Sequence, residues 1–291
     1  MPTDKHTLEI TAEKVNEAFV STYAPLFPIL TQTQKYEEII GEVKLKESTV
    51  IGDARARKLN AQDTEWKHAK TGIKTKQFNK YFSGIKHIVS GFVDNSDFQR
   101  NSDEILETNL MEFDKNVFFG DPTEAGVLRN NGLWASNDPN YIANAMKNMS
   151  ANPTQDEWKD LLDALVFAAE QKLGNVSKKI ILVGAAATKL GRFVPNTTTT
   201  YIRAIQNAYA DEGKDVTIES APSNLVAGTN ESGILTLTPA KIIHRYTALP
   251  HIKANGYNEE NAYTWMSLIY GSSMVDVQKE GALIKQPITF A

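Results

Sequence analysis

The feature that most narrows the folds open to this chain is an abrupt change of pattern at Gly91. Before it, from Lys44 to Lys86, eleven Lys or Arg stand against four Asp or Glu, a net +7 on a polar segment with little helical periodicity. After it, from Asp94 to Glu124, two basic residues stand against nine acidic ones, a net −7. In that acidic segment Leu106, Leu110, Phe113 and Val117 recur with helical spacing, and Ile105 and Phe118 broaden the stripe. A basic, β-prone segment is therefore followed at once by a long, acidic amphipathic helix. Neighbouring surfaces of opposite sign satisfy each other within one copy or between copies.

The helix has clear ends. Asp94 or Ser96 can cap its start, early acids suit the positive end of its dipole, and Gly120 followed by Pro122 stops it. About 20 residues at 1.5 Å each give roughly 30 Å. Before Lys44, the prolines in APLFPIL (24–30) interrupt regular structure, and the first 45 residues read as an extended arm with a short helix. The stretch 46–92 pairs β-prone pieces, Thr49-Val50-Ile51 and Gly84 to Val89, around a lysine-rich middle, and reads as a long two-stranded loop. GDPTEAGVLRNNGLWASNDP (120–139) reads as loop.

A second helix is signalled by a capping box, Thr154 with Glu157, and continues through Trp158, Leu161, Leu162, Leu165 and Ala169 to Gly174. The strand KIILVG (179–184), a helix from Thr199 to Ala210 closed by Gly213, and a strand at Val216–Glu219 complete an α/β unit. The last 60 residues read as largely β: Ile234–Leu237, Ile242–Tyr246, Tyr263–Tyr270, and a hairpin-like return through Gly271-Ser272-Ser273 to Met274–Val277. Helix first and sheet last is an α+β order.

Composition excludes several classes. With 291 residues, 41% hydrophobic and 23% charged, the chain can bury a large core, and a net charge of −4 is unlike that of a typical nucleic-acid binder. No run is long and apolar enough to span a bilayer, and MPTDKHTLEITAEK is too polar for a signal peptide, so no membrane partner is expected. Zero cysteines remove disulfides, thiolate metal sites and cysteine nucleophiles.

Catalytic readings weaken on inspection. KKIILVGAAATKLGRF (178–193) runs a strand into a glycine turn, as nucleotide-binding folds do, yet lacks both G-x-G-x-x-G and the P-loop pattern. A structural strand-to-helix turn at Gly184 is the simpler reading. His6, His68, His87, His244 and His251 show no compact metal-ligand spacing, and no G-x-S-x-G elbow is present. No metal, cofactor or catalytic residue is therefore expected, and the chain is read as a non-enzyme.

Asp103, Glu104, Glu107, Glu112 and Asp114 could serve acid–base chemistry or a cation, but Glu104, Glu107 and Asp114 are expected on the wet face opposite the leucines, suiting solvent or a basic partner. The basic loop, with Lys67, Lys70, Lys74, Lys76 and Lys80 among Trp66, Phe78, Tyr81 and Phe82, could stack on nucleic acid. Its adjacency to an equally acidic helix favours a protein surface instead.

The order of parts resembles the major capsid proteins of tailed phages with the Hong Kong 97-type fold, which is also similar to encapsulin shells. The resemblance is carried by ILETNLMEFDKNVFFGDPTEAGVLRNNGLW (105–134), like a spine helix entering a glycine loop, and by the tail IIHRYTALPHIK (242–253) and MVDVQKEGALIKQPI (274–288), like closing strands. It spans nearly the whole chain. It implies an N-terminal arm (1–45), an extended loop (46–92), a peripheral domain with the spine helix (93–150), an axial domain (151–240) and closing peripheral strands (241–291).

The function so implied is a structural subunit assembling into hexamers and pentamers of an icosahedral shell around packaged double-stranded DNA, in a virion assembled in the host cytoplasm. A portal would be a partner, and because no scaffolding segment precedes the arm, a separate scaffolding protein, or none, is implied. The resemblance lays the extended loop over a neighbouring subunit, which pairs Lys67, Lys70, Lys74, Lys76 and Lys80 with Asp103, Glu104, Glu107, Glu112 and Asp114 of another copy. An encapsulin-like compartment holding an enzyme and a soluble α/β nucleotide-binding enzyme stand as alternatives. No Lys–Asn crosslinking set can be matched.

Overall fold

A computed structural model describes residues 127–222, 229–246 and 273–291, with shorter pieces at 13–14, 33–35, 42–51, 70–79, 83–90, 100, 103–104, 106, 113–124, 226, 251–258 and 263–270. In chain order the early strands are β1 (Thr33–Lys35), β2 (Glu42–Ile51), β3 (Lys70–Asn79) and β4 (Ser83–Ser90). Next come helix α1, seen over 113–119 with further helical residues at 100, 103, 104 and 106, and the short strands β5 (Asp121–Glu124), β6 (Val127–Asn130), β7 (Tyr141–Ala143) and β8 (Lys147–Met149). The α/β unit holds α2 (Gln155–Leu173), β9 (Lys178–Val183), α3 (Ala185–Leu190), α4 (Tyr201–Asp211) and β10 (Val216–Ser220). The remainder is β11 (Gly233–Leu237), β12 (Ile242–Tyr246), β13 (His251–Asn258), β14 (Tyr263–Tyr270), β15 (Ser273–Val277) and β16 (Leu283–Phe290).

The largest described sheet runs β10-β9-β11-β16-β7, with β8 also on β16. It is mixed: β10 lies parallel to β9 and β7 parallel to β16, whereas β11 is antiparallel to both its neighbours. Alternate side chains divide between two cores, as a two-residue repeat demands. Ile180, Leu182, Ile234, Ile284 and Ile288 meet Trp158, Leu162, Leu165, Ile205 and Tyr209 from α2 and α4 on one face. Ile181, Val183, Leu235, Leu237 and Leu283 meet Phe113, Val117, Phe118, Leu133 and Trp134 on the other. The sheet thus lies between the α2–α4 layer and the end of α1.

The helix ends follow their sequence signals. Thr154 caps α2 reciprocally: Glu157 N–H donates to Thr154 Oγ1 at 3.3 Å and Thr154 N–H donates to Glu157 Oε2 at 2.7 Å. Four large side chains on its inner face, Trp158, Leu162, Leu165 and Val166, are buried, contributing up to about 1.5–3 kcal/mol each. At the end of α1, Gly120 takes the left-handed φ of 82°. The freed carbonyls of Val117 and Phe118 accept from Leu133 N–H (3.2 Å) and Trp134 N–H (2.7 Å), so a distant segment caps the helix. A Cβ on Gly132 would overlap Gly120 N, so this crossing needs glycine.

Several sequence expectations change. Thr49-Val50-Ile51 pairs with Lys70–Gly72 in the β2–β3 ribbon, and Gly84–Val89 instead joins β14. No hairpin joins β14 to β15: β14 lies between β13 and β4, and β15 pairs with β12. The 120–139 segment contains the short β5–β6 ribbon, whose register shifts around Pro122. The final strand, expected among the closing strands of 241–291, hydrogen-bonds to β11 within the sheet of the α/β unit. The expected arm lies mostly outside the described residues.

Candidate assembly surfaces

The charge-reversal residues are only partly described. Lys67, Lys80, Glu107 and Glu112 lie outside the described residues. Lys70, Lys74 and Lys76 stand on β3 at positions of one parity, opposite Ile51, Glu47 and Leu45 of β2. On the helix, Glu104 is exposed and Asp103 half-buried, and burial lifts the Asp103 carboxyl above its ordinary range.

Asp114 corrects the expectation of a wet face. It is 9% exposed, Oδ1 has no hydrogen-bond partner among the described residues, and burial pushes its pKa up to about 7. The reason is stripe width. Asp114 lies four residues after Leu110 and four before Phe118, so once Phe118 is part of the apolar face, Asp114 falls inside it. Val117 and Phe118 beside it are each 2% exposed. Asp114 is therefore withdrawn from the set available to a basic partner.

The glycine turn after β9 is filled by protein. Gly184 has φ 59°, and a Cβ there would overlap the Glu231 carbonyl oxygen. The Ala186 N–H at the start of α3 donates to Ser232 Oγ at 3.3 Å. An anion would have to displace both, so the turn is a packing device, and Gly184 is needed for close approach as well as for its backbone conformation. His244 is fully buried, and burial lowers its pKa to about 4, holding the ring neutral. No cluster of three or more His, Asp or Glu that could hold a metal occurs among the described residues, and no described helix is long and apolar enough to cross a membrane.

Sequence reading missed an anchor on the α1 side of the sheet. Trp134 Nε1 donates to Glu231 Oε2 at 2.8 Å, while Lys285 Nζ lies 4.2 Å from the centre of the Trp134 ring. Burial lowers the Lys285 pKa, and Glu231 opposes that shift. The group ties the segment after α1, the loop before β11 and β16 into one unit. Only the tryptophan was conspicuous in sequence, since its partners lie 97 and 151 positions away.

Two exposed aromatic residues were also missed. Phe167 on α2 is 60% exposed and Phe193, between α3 and α4, is 64% exposed. On α2 the large apolar neighbours Trp158, Leu162, Leu165 and Val166 are drawn inward, and before Phe193 so are Ala186 and Leu190.

No protein-family model and no curated protein sequence matches the chain. Its fold does match solved structures. The capsid of Myoviridae phage XM1 is similar over 89% of each chain at TM-score 0.63 and 12% identity. The capsid of an empty GTA particle is similar over 90% of this chain and 95% of that one, at TM-score 0.56 and 12% identity. A virus-like particle from Pyrococcus furiosus covers 95% of this chain and 98% of that one, at TM-score 0.55 and 10% identity. The likeness is one of fold: the chain has the α+β architecture of these shell proteins, as expected from the Hong Kong 97-type order of parts.

Proposed function

We propose that this chain is a structural major capsid protein whose copies assemble, without covalent links, into hexamers and pentamers of an icosahedral shell enclosing packaged double-stranded DNA. The observation that carries this reading is the extent of the fold: likeness to capsid subunits runs through about nine-tenths of the chain. The interior supports it. The glycine turn that most suggested an enzyme is packed shut by Glu231 and Ser232, so function resides in surfaces.

On this reading residues 1–45 form an arm, 46–92 the extended loop, 93–150 the peripheral domain and spine helix, 151–240 the axial domain, and 241–291 the closing strands, with β16 returning to the axial sheet. Assembly takes place in the host cytoplasm with a portal and a separate scaffolding protein. Lys67, Lys70, Lys74, Lys76 and Lys80 of one copy lie over Asp103, Glu104, Glu107 and Glu112 of a neighbour. Each exposed pair contributes about 0–1 kcal/mol, which steers register while apolar contacts supply most of the cohesion.

Sedimentation of the purified chain, alone and with a scaffolding partner, tests the reading. Particles of many copies are expected, and a 32.3 kDa monomer under both conditions would overturn it. Because the order of parts also resembles encapsulin shells, and a virus-like particle from Pyrococcus furiosus has a similar fold, a compartment with a protein cargo is the second reading. Nuclease-protected double-stranded DNA within particles from infected cells separates the two.

A further inference from the structure

The outward face of α2 carries Asp156, Asp160, Ala164, Phe167 and Gln171, all exposed, on the side opposite buried Trp158, Leu162, Leu165 and Ala169. Helical spacing places them in one stripe with Phe167 in its C-terminal half. Residues 155–164 hold four acids and one lysine, a net −3. Residues 185–203 hold Lys189, Arg192 and Arg203 and no acid, a net +3.

In that second segment Phe193 is presented by an ordered loop. Tyr201 N–H donates to Arg192 O at 3.0 Å, Val194 N–H to Thr199 O at 2.8 Å and Thr197 N–H to Val194 O at 3.1 Å, with Asn196 turning the chain at φ 62°. Arg192 Nη1 donates to Asn152 Oδ1 at 2.8 Å. Arg203 is exposed on the first turn of α4. A single exposed aromatic is ordinary. Here two occur on surfaces of opposite charge, and the loop bearing one is already held in place, which lowers the ordering cost of a contact.

One copy does not satisfy both. Arg192 ties the loop to the N-terminal end of α2, whereas Phe167 stands twelve residues into that helix, about 18 Å along its axis. Both rings remain open to solvent, and among the described residues Asp156, Asp160 and Arg203 make no ion pair. Unlike surfaces on one subunit pair heterologously, and heterologous contacts that close generate rings.

We propose that the Arg192–Phe193–Arg203 surface of one copy docks on the outward face of α2, against Asp156, Asp160, Ala164 and Phe167, of the next copy around the ring. The inference rests on the shell reading. It adds the polarity of the contact and its aromatic and arginine residues, types enriched at interfaces, set against the acids of α2.

Because the chain has no cysteine, crosslinking is unambiguous. The double variant Phe167→Cys/Phe193→Cys, assembled and then oxidised, is expected to run as a ladder ending at the ring on a non-reducing gel, while each single variant stays monomeric. Reversal at Arg192→Glu/Arg203→Glu is expected to lower the yield of assembled protein about tenfold, and adding Asp156→Arg/Asp160→Arg to restore it. Particles that form without the ladder, or a Phe167→Cys single variant that crosslinks to itself, overturn this contact and leave the shell reading standing. Failure of the unsubstituted chain to assemble overturns both.

Discussion

Replacing Asp114 with asparagine should stabilise the subunit in a way that depends on pH. The carboxyl is 9% exposed, and its pKa is raised from 3.8 to about 7 by burial. Below pH 3.8 folded and unfolded chains both carry it neutral. Between 3.8 and 7 the unfolded chain releases the proton and the folded chain keeps it, so stability falls as pH rises; above 7 the whole penalty is present. At about 1.4 kcal/mol for each pH unit crossed, the bound is about 4 kcal/mol. An effective interior dielectric well above that of dry protein reduces this, leaving about 2 kcal/mol as the working figure. Asparagine keeps the shape and cannot ionise. For a protein of this size the midpoint of thermal unfolding should rise by about 4 °C at pH 8 and by almost nothing at pH 4. Following the transition by circular dichroism at both pH values checks this. A gain that is equal at the two pH values, or a loss at pH 8, would refute the reasoning.

Three further perturbations probe the Gly184 turn, the α2 cap and the basic loop. Gly184→Ala must push a Cβ into the Glu231 carbonyl from a left-handed backbone, and it should cost about 2–3 kcal/mol in denaturant unfolding. Thr154→Ala removes the α2 cap and should cost about 1 kcal/mol, with hydrogen exchange accelerated in the first turn and not at Leu165. Reversing Lys67, Lys70, Lys74 and Lys76 to Glu should leave the subunit folded by circular dichroism while abolishing assembly at low salt; assembly that ignores both the reversal and the salt concentration would sink the charge-docking proposal.

Local signals were legible in sequence wherever local chemistry decides the structure. The Thr154–Glu157 box and Gly174 delimit α2, and Gly120 ends α1, because caps and glycine stops act within a few residues. Pairing was less legible. Nothing near Leu283–Phe290 specifies that it meets Gly233–Leu237, since partners in a sheet are chosen by the whole core. The β5–β6 ribbon has a loop-like sequence because each strand has four residues and the register breaks at Pro122. Asp114 differs for another reason: the spacing that buries it is present in the sequence, but its charge points the opposite way, to solvent. Phe167 and Phe193 carried no signal, because exposure of an aromatic is known only once its helix or loop is packed.

A closed shell built by this chain through its surfaces would be visible directly. The most direct measurement is an icosahedral cryo-electron-microscopy reconstruction of particles formed by the purified chain with a scaffolding partner. Five-fold and six-fold rings of this subunit are expected, with the β2–β3 ribbon of each copy lying over its neighbour. A chain that stays monomeric, or a particle in which the ribbon folds back on its own subunit, would contradict it.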